Sequence, residues 1–501
     1  MLTGTGVTRD LPASVPQSAH MLDHAPSPDL LEGISSALGR ADLSLLGEPA
    51  ERLRLDTERL VAEYLAPRMS EPDGAVVVAV VGVSGSGKST LVNSLARRRI
   101  SAEGNRRPTT IEPVAWSGTE LPPTLDALRR RLPGRLVDTL RPPPDGIVVV
   151  DTPPPGLVDD RGESIAGQIL AVADACVLVA GAGRYADAAG FELAEIARHR
   201  GMPTVLVLNR VPTSPELNGI LVADYAGKLA GRGIVARPDA ELIVAIADGP
   251  VSGDSGGLPG DWVTGLRKEI EALADPRERS AIVRRGIELA IARLSDDLSR
   301  IRGMLISAET RRAALLDPTR IAYGRSSAEL VRDLRAGAFA ETGSDAEAFV
   351  AALSATSARR AGRAARAVAE RWSSVAPDMV DPELFGHGPP IPTVARERLE
   401  WWAADLPSLA EEVSGRPVRG RHRQRLVDAV RHSAVDPGFK PRRKAARILS
   451  RHPGVVEAAR RRLEEELAGI IEADSMKFTE LLGPSSPAGL LAELAFAEED
   501  R

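Results

Sequence analysis

The sequence lacks three features that would direct an assignment of function. Its 501 residues include one cysteine, Cys176, so no disulfide forms within the chain and a cysteine-based metal site is excluded. No run reaches about 18 apolar residues, so we expect no transmembrane helix. The first residues, MLTGTGVTRD, show no basic stretch followed by an apolar one, so no signal peptide is predicted. A reducing cytoplasm is the expected location.

Aromatic residues and lysines are also scarce. Aromatics make up 3% of the chain while hydrophobic residues make up 43%, so aliphatic side chains must build a sizeable core. The net charge of −5 excludes a wholly basic nucleic-acid coat. Lysine occurs six times among 64 basic residues. Where this arginine-rich chain retains a lysine, we expect a position that needs a compact ammonium rather than the planar guanidinium of arginine. Lys88 is the first such position to consider.

Composition divides the chain into five parts. A tail rich in Pro, Ser, Thr and Gly is predicted over 1–27, and helices over 28–74. Short β-branched runs alternate with amphipathic stretches over 75–276, which predicts an α/β domain with a doubly wound, mostly parallel sheet. Apolar residues at spacings of 3 and 4 predict an all-α helical bundle over 277–482, followed by a C-terminal tail, 483–501.

The predicted strands are uniformly apolar, which suits burial on both faces of a parallel sheet. They read AVVVAVV (75–81), GIVVVD (146–151), ACVLVA (175–180), TVLVLN (204–209) and ELIVAIA (241–247). Before them, a helix is predicted over 46–68, ended by Pro67 and Pro72.

Residues 82–89, GVSGSGKS, match the phosphate-loop pattern G-x-x-x-x-G-K-[ST] between a strand and a helix. Its glycines let backbone N–H groups surround phosphate oxygens, Lys88 reaches the β- and γ-phosphates, and Ser89 offers a hydroxyl to Mg²⁺. The alternative is a glycine-rich turn without a ligand. The candidate phosphate-binding residues are Gly82, Gly85, Ser86, Gly87, Lys88, Ser89 and Thr90.

Two further segments complete a nucleotide site. Asp151 ends a predicted strand, where its carboxylate can bind Mg²⁺ directly or through water. In the loop GNRRPTTIEP, Thr109 or Thr110 can place a hydroxyl on Mg²⁺ and a backbone N–H on the γ-phosphate. Asn209 ends another strand, where its amide can hold a purine edge, with the stem of Arg210 along the base.

In this order, GVSGSGKSTLVNSLA, RRPTT, VVVDTPPPG and VLVLNRVP resemble the successive motifs of a guanine-nucleotide-binding GTPase. Together with ADACVLVAGAGRYADA they are similar to a group of actinobacterial dynamin-like GTPases, which have a G domain followed by a helical region. The resemblance implies GTP and Mg²⁺ as ligands. It also implies that Lys88 holds phosphates, Ser89 and Asp151 hold Mg²⁺, Thr109 or Thr110 forms the first switch, and Asn209 holds the base.

Three departures from the family pattern affect these expectations. Pro212 stands where the base-reading motif has Asp, so guanine selectivity is weakened, and Asp248 is the candidate to compensate. Additional prolines displace Gly156 in the second switch. No Gln or His is placed to orient the attacking water, which leaves Ser84 and the backbone at Thr109 and Thr110. We therefore expect slow hydrolysis, assisted by homodimerisation through the G domain or by a partner GTPase.

Two other functions stay open from sequence. A small-molecule kinase uses the same phosphate loop, but gives the Thr-Thr loop and Asn209 no role. A nucleotide-binding scaffold without turnover is the second alternative. Both are separated from a GTPase by measuring phosphate release with GTP and ATP.

The basic segment, 416–462, holds 15 Lys and Arg against three acids, a net charge of +12. It is interpreted either as a face packed against the acidic remainder or as a contact with an anionic membrane surface. With Phe439 as its single aromatic residue, nucleic acid is the less favoured partner. The membrane interpretation predicts peripheral attachment at the inner face of the cell membrane.

Overall fold

The computed structural model describes residues 26–101, 112–376 and 391–486 with short gaps, and residues 489, 490 and 494. The gaps are 119, 131, 133–134, 138–141, 160–162, 253, 343–344, 419, 421 and 484. The chain forms two compact units. The sheet unit comprises the residues up to 43, 47–304 and those from 487, whereas the helical unit comprises 44–46 and 305–486.

Seven described strands form one sheet, in the order β3-β2-β4-β1-β5-β6-β7. Every neighbouring pair is parallel except β2 and β4, which are antiparallel. The predicted doubly wound, mostly parallel sheet is therefore confirmed. The strands are β1 Val76–Val81, β2 Val114–Trp116, β3 Arg135–Val137, β4 Ile147–Asp151, β5 Ala175–Gly181, β6 Thr204–Val211 and β7 Ile243–Ala247.

The helices cover both faces of the sheet and build the helical unit. The first nine are α1 Pro28–Arg40, α2 Glu48–Arg59, α3 Ala66–Ser70, α4 Lys88–Ala96, α5 Pro123–Arg129, α6 Ile165–Val172, α7 Ala188–His199, α8 Pro215–Gly231 and α9 Thr264–Leu273. The others are α10 Pro276–Arg335, α11 Ala346–Val375, α12 Ile391–Ser414, α13 His422–Val435, α14 Arg443–Leu449 and α15 Val455–Leu481.

The sheet positions the site because its central strands are buried on both faces. Every residue of β1 and β4 is buried, as their apolar sequences require. One face of the sheet packs against α6, α7 and α8 in a single apolar core. The loop after β1 and the end of β4 lie side by side, since Val80 pairs with Asp151.

Pro67 does not end the N-terminal helix, contrary to the sequence-based prediction. A π-helical segment, Leu60–Leu65, joins α2 to α3, and α3 continues to Ser70 with Pro67 in its first turn. Arg68, at 1% exposure, places its guanidinium on the carboxylate of Asp174, which has no exposed side-chain area. This buried ion pair connects α3 to the start of β5.

The helical unit has a core of aliphatic residues with a few aromatics. Its first helical segment is the part of α10 that follows residue 304. The whole of α10 has 60 residues and includes Pro318. Pro318 therefore does not end this helix, which continues to Arg335. Near Pro318, the carbonyl of Leu315 accepts hydrogen bonds from Thr319 Oγ1 at 3.0 Å and from Trp372 Nε1 at 2.9 Å. The division predicted at 277 falls inside the first turn of α10.

Candidate functional site

The loop between β1 and α4 has the conformation that the glycine pattern predicts. Gly82, Gly85 and Gly87 have φ values of +152°, +76° and +96°, in the region that favours glycine. A Cβ on Gly82 would collide with the carbonyl of Val179, and one on Gly87 would collide with the amide of Asn209. Both positions therefore require glycine for space as well as for backbone conformation.

Lys88 is folded into the loop that it follows. Its Nζ donates to the carbonyl oxygens of Gly82 at 2.8 Å and Val83 at 3.3 Å, and the residue is 6% exposed. Burial lowers the pKa of this ammonium, while the nearby carboxylate of Asp151 opposes the shift. The charge is thus held where phosphate oxygens would enter the loop.

Asp151 lies beside Lys88 and Ser89 at the end of β4. The residue is fully buried, and burial raises the pKa of its carboxyl group. Hydrogen bonds from Ser101 and Ser89, together with the charge of Lys88, oppose that shift. The Ser101 hydroxyl donates to Asp151 Oδ2 at 2.5 Å. The other oxygen, Oδ1, is buried without a hydrogen-bond partner.

These residues fit a magnesium ion. A buried carboxylate oxygen without a partner is costly unless a cation or water satisfies it, and Mg²⁺ prefers oxygen ligands. In nucleotide sites Mg²⁺ takes one or two protein oxygens and completes its shell with phosphates and water. Among the described residues, no group of three or more His, Cys, Asp or Glu is arranged to hold a metal. The Ser89 hydroxyl and the Asp151 carboxylate are the protein oxygens that would serve.

Asn209 supports the phosphate loop from the end of β6. Its Nδ2 donates to the carbonyl of Ser86 at 2.8 Å, and its Oδ1 accepts from the backbone N–H of Arg210 at 3.0 Å. The side chain is 2% exposed. The Ser86 hydroxyl is buried without a hydrogen-bond partner. The residue predicted to hold a base therefore also fixes the loop that would hold the phosphates.

The other predicted base residues lie where β6 and β7 end. Arg210 is exposed and has a positive φ of 61° at a bulge between Asn209 and Val211. Asp248 is exposed, and its backbone N–H donates to the carbonyl of Val211 at 2.9 Å. The sheet thus brings Asp248 next to the segment that contains Pro212.

The predicted switch residues are only partly described. Thr109 and Thr110 lie outside the described residues. Gly156 is exposed, and a Cβ added there would have no neighbouring atom within 4 Å. Thr152 Oγ1 donates to the carbonyl of Val80 at 2.8 Å. Ser84 and Thr90 are half-buried beside the phosphate loop.

Sequence analysis missed two residues beside this site, Ser101 and Asn93. Ser101 contacts Asp151 across 50 residues of sequence, and no pattern around a single serine predicts such a contact. Asn93 had a usable signal, because an amide among the apolar residues of α4 must be hydrogen-bonded when buried.

The fold and site define a P-loop nucleoside-triphosphatase. Residues 77–210 match the family model described as 50S ribosome-binding GTPase, and this range contains the phosphate loop, Asp151 and Asn209. The chain therefore carries a GTPase domain, and the prediction of a GTP-binding P-loop hydrolase is confirmed. No curated protein matches the chain.

The chain also aligns with two structures of an oligomerised bacterial dynamin pair, described as a mechanism for long-range sensing and tethering of membranes. The identities are 12% and 11%, and each alignment covers 97% of this chain and 80% of the other. The TM-scores are 0.30 and 0.26, too low to define a common fold.

Proposed function

We propose that this chain is a dynamin-like GTPase that binds GTP with Mg²⁺ and hydrolyses it slowly. The observation that carries the proposal is the unpaired Oδ1 of Asp151, buried beside Lys88 and Ser89. A bound Mg²⁺ supplies the charge that neutralises the phosphates. Lys88 leaves the carbonyls of Gly82 and Val83 for phosphate oxygens, and the loop N–H groups hold the remaining oxygens.

Hydrolysis is proposed to be slow because the segment that follows the phosphate-side carboxylate offers no side chain typical of water orientation. The segment from Asp151 to Ser164 contains no Gln or His. In GTPases that receive a catalytic side chain from a partner, turnover rises by orders of magnitude when the partner binds. We propose that dimerisation of the GTPase domain, or a partner GTPase, supplies it. Specific activity should therefore rise with protein concentration.

Phosphate release from GTP, with and without Mg²⁺, tests this function. Lys88→Ala should abolish triphosphate binding and turnover while circular dichroism stays unchanged. Lys228→Ala is the matched control, because this lysine is on the surface of α8 and pairs with Asp224. Equal nucleotide affinity in Lys88→Ala and the parent chain would overturn the proposal. Binding without phosphate release would favour the scaffold, and phosphate transfer to a small molecule would favour the kinase.

We further propose that the basic segment contacts an anionic membrane surface. In and beside α14, the side chains of Arg442, Arg443, Lys444 and Arg447 are exposed, and the structure records no ion pair for them among the described residues. No ion pair within the described part of the helical unit therefore neutralises these four side chains. No described helix has the length and hydropathy needed to cross a bilayer.

Co-sedimentation with liposomes tests the surface. Binding should increase with the fraction of anionic lipid and decrease with added salt. Arg442→Glu, Arg443→Glu and Lys444→Glu together should remove about 3 kcal/mol of binding, roughly a hundred-fold in affinity. The matched control reverses three exposed arginines of α11, Arg359, Arg363 and Arg366. Equal binding to neutral and anionic liposomes, or an equal loss in the control, would contradict the proposal. Tighter binding to RNA or DNA would identify nucleic acid instead.

A further inference from the structure

Asn93 fixes the chain that leaves the phosphate-loop helix. It is fully buried in α4, one turn after Ser89. Its Oδ1 accepts from the backbone N–H groups of Ile100 at 2.8 Å and Ser101 at 2.9 Å. Its Nδ2 donates to the carbonyl of Ser101 at 3.1 Å. One amide therefore holds both backbone polar groups of Ser101 in place.

The Ser101 side chain is directed from this anchor onto Asp151. The residue is 1% exposed, and its hydroxyl donates to Oδ2 at 2.5 Å. A carboxylate at the end of a strand can rotate about its side-chain bonds, and a hydrogen bond to one oxygen restricts that rotation. With Oδ2 held, Oδ1 stays unpaired in the direction left for another ligand.

We propose that Ser101 is a positioning residue for Mg²⁺, holding Asp151 in the orientation that meets the metal, and that Asn93 holds Ser101. The inference rests on the proposed Mg²⁺-dependent function. Groups that hydrogen-bond the ligands of a metal orient them, and losing one such group typically weakens metal affinity or activity by about 10–100-fold. Ser101 does not touch nucleotide in this scheme, so it acts through Asp151 alone.

The hydrogen bond between Ser101 and Asp151 also bears on the connection that follows Ser101 along the chain. That segment starts at Ser101, against Asp151, and the chain re-enters the described sheet at Val114, which pairs with Asp151. Both described ends of the connection containing Thr109 and Thr110 thus meet the same residue, Ser101 through the carboxylate of Asp151 and Val114 through its backbone. Ser101 fixes one end of this connection independently of nucleotide.

The test is release of a fluorescent GDP, N-methylanthraniloyl-GDP, from the full chain at increasing Mg²⁺ concentration. Mg²⁺ should slow release from the parent chain. In Ser101→Ala the Mg²⁺ concentration for half of this effect should rise about ten-fold or more, while release without Mg²⁺ stays the same. A merely structural role would lower the unfolding temperature without changing the Mg²⁺ response. Ser357→Ala is the control, because this buried hydroxyl of α11 has no recorded partner among the described residues.

The outcomes separate this inference from the proposed function. If Mg²⁺ slows release equally from Ser101→Ala and the parent chain, the positioning role is wrong and the Mg²⁺-dependent function stands. If Mg²⁺ has no effect on the parent chain, both are wrong. If Ser101→Ala does not fold, Ser101→Cys is measured in the same way. Its thiol has nearly the same shape but donates weakly, so a raised Mg²⁺ requirement supports the role and an unchanged one overturns it.

Discussion

At the scale of single residues, the chemistry rests on polar groups buried at the carboxyl edge of the sheet. Lys88, Asp151 and Asn209 are at most 6% exposed, and each contacts the phosphate loop or its helix. Polar groups in such positions are costly without partners, so each change there affects binding more than a surface change does. The residues predicted to contact the base differ, because Arg210 and Asp248 are exposed.

Pro212→Asp should sharpen the preference for GTP over ATP. The family pattern places a carboxylate at this position, and a bidentate contact with a base is worth about 1–3 kcal/mol of discrimination. The ratio of the ATP dissociation constant to the GTP dissociation constant, measured by titration, should therefore increase by about 5–150-fold. Thr213→Asp adds the same charge one residue later and serves as the control. A parent chain that prefers ATP would show that the base site is wrongly assigned.

At the scale of elements, α3 is fastened to the sheet by a buried charge. Arg68 Nε donates to Asp174 Oδ1 at 3.0 Å, and the backbone N–H of Val77 donates to Oδ2 at 2.8 Å. Tyr64, in the π-helical segment, contributes a longer bond of 3.4 Å to Oδ1. Burial raises the pKa of the Asp174 carboxyl, and Arg68 opposes this most strongly. Removing the arginine would leave a buried carboxylate that has lost its strongest compensating charge.

Arg68→Met should lower the free energy of unfolding by about 3–5 kcal/mol at neutral pH, because one partner of a buried pair is lost. The sign of the pH dependence follows from the Asp174 pKa, which burial raises and which rises further without Arg68. A raised folded-state pKa means that protonation favours the folded state, so the deficit should shrink as pH falls from about 7 toward 5. Urea unfolding at several pH values measures the difference in free energy of unfolding between Arg68→Met and the parent chain.

Arg52→Met is the control for this change, since Arg52 is exposed on α2 and pairs with Glu48. Its effect should stay within about 1 kcal/mol, as for other surface ion pairs. A deficit in Arg68→Met that grows as pH falls would contradict the assigned role of Asp174.

The sequence predicted the elements that carry a strong local pattern. The five long strands were found because uniformly apolar runs have few alternatives in an α/β chain. β2 and β3, three residues each, were missed because such short segments show no period. The helix predicted over 46–68 is present, but it continues past Pro67 to Ser70 through a π-helical segment that no local pattern indicates. In the site, the phosphate loop is local in sequence, whereas the Ser101 contact is formed by tertiary structure alone.

At the scale of the whole molecule, the chain has two compact units with separate cores. Calorimetry should therefore show two unfolding transitions rather than one. Nucleotide with Mg²⁺ at about 100 times its dissociation constant should stabilise the sheet unit by about 2.7 kcal/mol and raise the transition of that unit. Lys88→Ala should remove this shift, and a single transition that shifts as a whole would contradict independent units.

The bond from Asn209 Nδ2 to the Ser86 carbonyl has a consequence for ligands smaller than a nucleotide. It couples the order of the phosphate loop to the position of the amide that is predicted to hold the base. Guanosine and pyrophosphate, offered as separate fragments, should bind cooperatively, each increasing the affinity for the other by the same factor. Base binding and phosphate binding would then be linked by one coupling free energy, which the hydrogen bond of Asn209 transmits.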